Sequence, residues 1–181
     1  MLGLGQLLWI LLCLLPMPGE LQAFWLDVPF VEQVENGCGA ACVSMVMRYW
    51  CQNSASGAPP VPEDAQILKS LASAGTVGAR ASDLARYLRA QRYQVFAFGG
   101  KWDDLEHHLQ KGRPLIVAVQ QPSGSTQFHF VVVAGMDRTQ ELLLVNDPAR
   151  RKLTKVIRSE FEHDWKECGN WTLLALPPNE P

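Results

Sequence analysis

Four residues have the types and the order that thiol chemistry needs: Gln33, Cys38, His129 and Asp147. Nucleophilic catalysis by a thiol requires a thiolate, a base beside it, a group that orients the base, and a donor for the oxyanion. Cys38 follows an Asn-Gly turn signal and opens an apolar-periodic stretch. It therefore sits at a helix start, where free N–H groups and the helix dipole stabilise a thiolate. Gly37 and Gly39 flank it and leave room for a substrate backbone to approach. His129 lies in the β-type run FHFVVV, so a strand holds its imidazole rigidly. Asp147 ends the next run, LLLVND, from which a hairpin partner reaches across to His129. Gln33 stands five residues before Cys38, near enough for its amide to face the same site.

Each of these residues has a bland reading when taken alone. A cysteine at a helix start is commonly a small buried hydrophobe, a strand histidine a satisfied core residue, and an Asp before Pro148 a turn former. Their joint order favours chemistry. Asn146 competes with Asp147, and strand alternation turns only one of the two toward the site; the reading favours Asp147. His107 and His108 fall on a charged helix face and read as solvated. A zinc site from Cys38, Cys42, Cys168 and His163 has no supporting ligand spacing. Cys42, one turn after Cys38, reads as core. In an oxidising compartment Cys51 and Cys168 are the pair to consider for a disulfide. Asn170-Trp171-Thr172 fits a glycosylation sequon.

The elements that must position these residues follow from periodicity. Residues 24–32 read as extended, with Pro29 excluding a helix interior. From Cys38 to about Trp50, Ala41, Cys42, Met45, Val46 and Tyr49 recur at helical spacing. Helices are expected over Pro62–Ala74 and from an N-cap at Ser82 to near Gln91, the latter burying Leu84, Tyr87 and Leu88. A strand over Tyr93–Phe98 and a helix over Trp102–Lys111 follow, the helix burying Trp102, Leu105 and Leu109 and stopping at Gly112. Pro114–Val119, Phe128–Ala134, Leu142–Val145 and Trp171–Leu176 are β-type runs, with a short helix over Ser159–Trp165. Helices first and strands later indicate an α+β domain.

Composition sets the outer limits. The chain has 181 residues, 48% hydrophobic and 19% charged, which excludes wholesale disorder. A formal net charge of −2 gives no electrostatic reason to hold nucleic acid. Five cysteines are too few for a disulfide-built scaffold. Residues 7–15 read LLWILLCLL, too short an apolar run for the roughly 20 residues of a membrane span, and Pro16 and Pro18 break it. Residues 1–23 are thus expected to be a signal peptide cut after Ala23. Residues 24–181 would then form one domain without a transmembrane segment, periplasmic or extracellular, or tethered by the N-terminus if the signal stays uncleaved.

QVENGCGAACVSMVM, HFVVVAGMD and VNDPA resemble the three sequence blocks of the bacteriocin-processing peptidases. Those are papain-like cysteine peptidases that cut leader peptides after a double glycine. The helix-to-strand segment from Gly78 to Phe98 and WDDLEHHLQKGRPLIVAV are similar to the connecting regions, so the likeness spans nearly all of residues 24–181. It implies a papain-like fold, with N-terminal helices packed on a C-terminal antiparallel sheet. It also implies Cys38 as nucleophile, His129 as base, Asp147 as orienting group and Gln33 as oxyanion donor. Many members have an acid directly before the nucleophile, where this chain has Gly37.

The function expected is an exported cysteine peptidase that needs no metal or nucleotide and cuts a peptide or protein after small residues, Gly-Gly-like. A secretion apparatus is the partner the family implies. Two other classes stay open: an amidase or acyltransferase acting on wall peptides, and a non-catalytic peptide-binding module of a secretion system.

Overall fold

A computed structural model describes residues 22–55, 57–72, 78–121 and 128–180. The signal-peptide expectation for residues 1–23 thus falls, up to Leu21, outside the described residues. After a short strand β1 (Ala23–Trp25), helices α1 (Cys38–Asn53), α2 (Asp64–Leu71) and α3 (Ala81–Ala90) lead to strand β2 (Gln94–Gly99) and helix α4 (Trp102–Gln110). Strands β3 (Leu115–Gln120), β4 (Phe128–Asp137), β5 (Leu142–Asp147) and β6 (Arg151–Ile157) precede helix α5 (Arg158–Lys166) and strand β7 (Trp171–Leu176). All the strands pair antiparallel, in the order β2-β7-β3-β4-β5-β6, and β1 pairs with the end of β4 that β3 leaves open. This is the expected α+β arrangement; β2, the strand expected over Tyr93–Phe98, joins the far edge of the sheet through β7.

The central element is α1. Every residue from Gly39 to Met47 is buried, as are Tyr49 and Trp50. Its expected stripe of Ala41, Cys42, Met45, Val46 and Tyr49 is therefore part of a helix enclosed on nearly all sides, as a helix apolar all round must be. Its C-terminal end is pinned: Trp50 Nε1 donates to the Ala175 carbonyl at 2.8 Å and the Tyr49 hydroxyl to the Gly112 carbonyl at 2.7 Å. With that end fixed, the N-terminus bearing Cys38 points toward the start of β4.

The boundaries shift for physical reasons. Helix α3 starts at Ala81, one residue before the expected cap, and the Asp83 carboxylate caps the Arg80 N–H at 3.2 Å in place of Ser82. Helix α2 runs only from Asp64 to Leu71, since Ala72 is already extended. Strand β6 was not expected from sequence. It is an edge strand, and its exposed Arg151, Lys152 and Lys155 mask the alternation. His108 is not simply solvated: it is half-buried against the Phe98 ring, centroids 6.3 Å apart, and burial lowers its pKa. In the sequon, Asn170 is half-buried and its Nδ2 donates to the Gly100 carbonyl at 3.1 Å.

The four described cysteines, Cys38, Cys42, Cys51 and Cys168, are free, so the Cys51–Cys168 pairing is corrected. Cys51 lies near Tyr93, at the end of the β2–β7 pair where Gln94 meets Leu176. Cys168 lies at the opposite end, where Gly99 meets Trp171. Strand rise puts those ends roughly 17 Å apart, whereas a disulfide needs Cα atoms within about 7 Å.

Candidate active site

The antiparallel pairing of β4 with β5 builds the centre of the site. Strand alternation turns His129 and Asp147 to one face of the sheet. There the imidazole Nε2–H donates to Asp147 Oδ1 at 2.7 Å, with both side chains about nine-tenths buried. Asp147 Oδ1 also accepts the Ala149 N–H at 3.0 Å, and Arg150 Nε stands 3.4 Å from Oδ2. Those two contacts close the β5–β6 hairpin onto the carboxylate and hold it in place. Asn146 points the other way. It is fully buried, donates from Nδ2 to the Val28 carbonyl at 3.1 Å, and accepts the Leu153 N–H at 2.9 Å. The alternative left open by the sequence thus separates in space: Asp147 meets the imidazole, and Asn146 ties the β5–β6 hairpin to the N-terminal segment.

The third member arrives from α1. The turn Val34-Glu35-Asn36-Gly37 closes with the Gly37 N–H on the Val34 carbonyl at 2.9 Å, and Asn36 takes φ 57°. Asn tolerates that left-handed conformation. Cys38 is then the first residue of α1, half-buried, beside His129 and the backbone N–H groups of Phe130 and Gly39. Burial is the largest influence on its thiol and pushes the pKa up. The neighbouring His129 imidazole and the two N–H groups outweigh it and hold the thiol below its ordinary value, while His129 Nδ1 is buried and makes no hydrogen bond.

The same balance works on the partners. Burial lowers the His129 pKa, but the hydrogen bond to Asp147 and the neighbouring Cys38 and Asp147 charges overcome it and raise the imidazole to about 9. Burial raises Asp147, and its bond to His129, the Ala149 N–H and the Arg150 charge bring it below the usual carboxylate value. The low thiol and the high imidazole describe one arrangement, a thiolate beside an imidazolium whose far nitrogen rests on a carboxylate. Cys42, by contrast, is fully buried, and burial together with the Cys38 and Asp147 charges raises its thiol well above the ordinary value.

Gln33 is tied to the site through its backbone, whose N–H donates to the Pro148 carbonyl at 3.0 Å. Its side-chain Oε1 is buried without a hydrogen-bond partner, and Gln33 and Gly37 line one cavity of about 150 Å³ beside α1. The two glycines flanking Cys38 are closely surrounded. A Cβ on Gly37 would stand 3.0 Å from the Val34 carbonyl oxygen, and one on Gly39 3.0 Å from Leu84 Cδ1 and 3.4 Å from Phe130. Both are buried. They serve the close packing of α1 against its neighbours.

A family model described as Peptidase C39 like matches residues 25–173. The chain belongs to that family. It is a cysteine-type peptidase. No curated protein matches it in sequence. Three solved structures share its fold. The chain is similar to a Bacillus anthracis protein described as a C39-like peptidase, at 17% identity and TM-score 0.63 over 85% of this chain and 96% of that one. It is similar to the peptidase domain of Streptococcus ComA, a bifunctional ABC transporter of a quorum-sensing pathway, at 18% and 0.66 over 83% and 99%. It is also similar to a double glycine motif protease from an AMS/PCAT transporter, solved with its leader peptide, at 20% and 0.60 over 84% and 94%.

Sequence reasoning missed three contributors to this C39-like site: the Ala149 and Phe130 N–H groups and Arg150. The Asp-Pro-Ala-Arg order hinted at the first and last, because an Asp side chain commonly accepts the N–H two residues on. The Phe130 N–H carried no signal, since any residue supplies one.

Proposed function

We propose that this chain is an exported cysteine peptidase that hydrolyses a peptide bond after small residues, Gly-Gly-like, with Cys38 as nucleophile. The observation that supports it is the buried imidazole of His129, set between the Cys38 thiol and the Asp147 carboxylate. The thiolate attacks the scissile carbonyl carbon and its electron pair moves to oxygen. The Gly39 N–H beside Cys38 and, by the family resemblance, the Gln33 amide are the donors assigned to that oxygen. Imidazolium His129 gives its proton to the departing amine, and the C–N bond breaks. Water then attacks the acyl-enzyme and gives a proton to His129, and the thiolate leaves as the carboxylic acid forms. Asp147 keeps the imidazole in one tautomer and favours its charged form throughout.

Support for a peptide substrate comes from the leader-peptide complex of the AMS/PCAT relative, and support for export from the apolar run at residues 7–15. The test is mass spectrometry of a synthetic peptide with an internal Gly-Gly, incubated with the protein and with Cys38→Ala. Cleavage after the second glycine by the former alone is the expected result. An intact leader peptide beside hydrolysed wall fragments assigns the site to an amidase instead.

A further inference from the structure

A cavity of about 530 Å³ opens beside the imidazole, between α5 and the face of the sheet that carries His129 and Asp147. Its apolar wall is Val119, Val131, Val145, Val156 and Phe161. The exposed Lys155 and Glu160 and the half-buried Asp164 stand around it, so charges of both signs ring an apolar floor. Among the described residues that line it are His129 and Asp147, but neither Cys38 nor Gln33. Gln33 and Gly37 line a separate cavity of about 150 Å³ between the α1 start and α2.

This division has a chemical meaning. The residue before the cut carries its carbonyl to the Cys38 sulfur and the α1 N-terminus. The departing amine must lie within hydrogen-bond reach of the imidazole that protonates it. The chain after the cut therefore leaves across His129, toward the cavity whose wall the imidazole forms. The volume suits more than a small residue, for ligand pockets run about 300–1,000 Å³. The ring of mixed charge gives no preference for one sign of charge.

We infer that the cavity between α5 and the sheet is a leaving-side specificity pocket, taking a large apolar or aromatic side chain from the first two residues after the cut. The inference rests on the peptidase reading above and adds to it a preference on the product that departs as a free amine.

The test compares Gly-Gly peptides that differ only in having Phe or Ala directly after the cut, or one residue further. At one of those positions kcat/KM should favour Phe by about tenfold or more. Val156→Trp, which puts an indole at the half-buried edge of the cavity, should bring that ratio toward one. A ratio near one in the unaltered protein at both positions, or a preference that survives Val156→Trp undiminished, overturns the inference. A second measurement does not depend on cleavage or on that variant's folding. The fragments phenylalanyl-alanyl-alaninamide and alanyl-alanyl-alaninamide are titrated into Cys38→Ala and followed by methyl NMR. Saturable shifts at Val131, Val145 and Val156 with the Phe fragment alone support the pocket. If no Gly-Gly peptide is cut, that same result keeps the pocket and places the failure on the choice of bond. Absence of those shifts overturns the pocket whatever the peptides do.

Discussion

A thiol lowered and an imidazole raised by each other set a pH window for this site. As pH falls through the depressed Cys38 value, the thiolate takes a proton and the nucleophile is lost. As pH rises through about 9, His129 loses its proton, and with it the acid for the leaving amine. The kcat/KM profile should be bell-shaped, with its alkaline limb near pH 9. The ion pair also has a signature that needs no substrate. At pH 6, in a Cys51→Ser background that removes the exposed thiol, iodoacetamide should modify Cys38 ahead of Cys42 and Cys168. Burial raises both of those, Cys168 to about 11 with help from Asp164 and Glu167. His129→Ala should slow the Cys38 reaction, measured by site-resolved mass spectrometry. A Cys38 that titrates like an ordinary thiol, indifferent to His129, means that the peptide-binding-module reading is the better one. The adjacent residues Asn146 and Asp147 separate chemistry from architecture. Asp147→Ala should lower kcat by about 10²- to 10⁴-fold with the melting transition retained. Asn146→Ala leaves the Val28 carbonyl and the Leu153 N–H without their partner. It should cost about 1–3 kcal/mol of stability, read by denaturant titration, with a smaller change in kcat. The reverse ranking would mean that Asp147 is not the orienting group.

At the scale of elements, apolar periodicity made the helices legible and hid one strand. Leu84 with Leu88, and Trp102 with Leu105 and Leu109, are the buried stripes that their spacing announces. The β4 and β5 runs were plain because near-continuous apolar, β-branched-rich stretches mark strands buried on both faces. Strand β6 was illegible because an edge strand shows charge to solvent on positions that a central strand would fill with Val or Ile. Short β1 was read only as extended chain, since three residues carry no period. Its pairing depends on a glycine that the sequence did not flag. A Cβ on Gly135 would lie 2.6 Å from Trp25 Cβ and 2.7 Å from the Phe24 carbonyl oxygen. Because the obstacles are β1 itself, Gly135→Ala should push β1 off β4. The expected cost is about 1–3 kcal/mol, with faster proteolysis at the N-terminal edge. Retained protection of that edge in hydrogen exchange would show that the strand accommodates the methyl.

At the scale of the whole molecule, the proposed export bears on the proposed thiol nucleophile. The export proposal comes from residues 7–15, and no described helix is long and apolar enough to cross a membrane. The cut after Ala23 would fall inside β1, where Ala23 pairs with Asp137, Phe24 with Met136 and Trp25 with Gly135. A processing enzyme must therefore reach that bond before β1 docks, and the processed chain keeps the Phe24 and Trp25 pairs. N-terminal sequencing of the exported protein should find Phe24 or a near neighbour first; an intact Met1 would sink the cleavage. In an oxidising compartment the remaining cysteines face a choice that the fold makes for them. Cys42 is fully buried, and Cys51 and Cys168 sit at opposite ends of the β2–β7 pair. Cys51 and Cys168 cannot meet while the sheet stands, so the exported chain should fold without a bridge between them. Thiol titration of protein unfolded after isolation under non-reducing conditions should count four free thiols per processed chain, Cys38, Cys42, Cys51 and Cys168. Loss of one thiol per chain together with a covalent dimer points to the exposed Cys51 alone. A bridge mapped between Cys51 and Cys168 within a monomer would mean that the register of β2 against β7, and the sheet order built on it, is wrong.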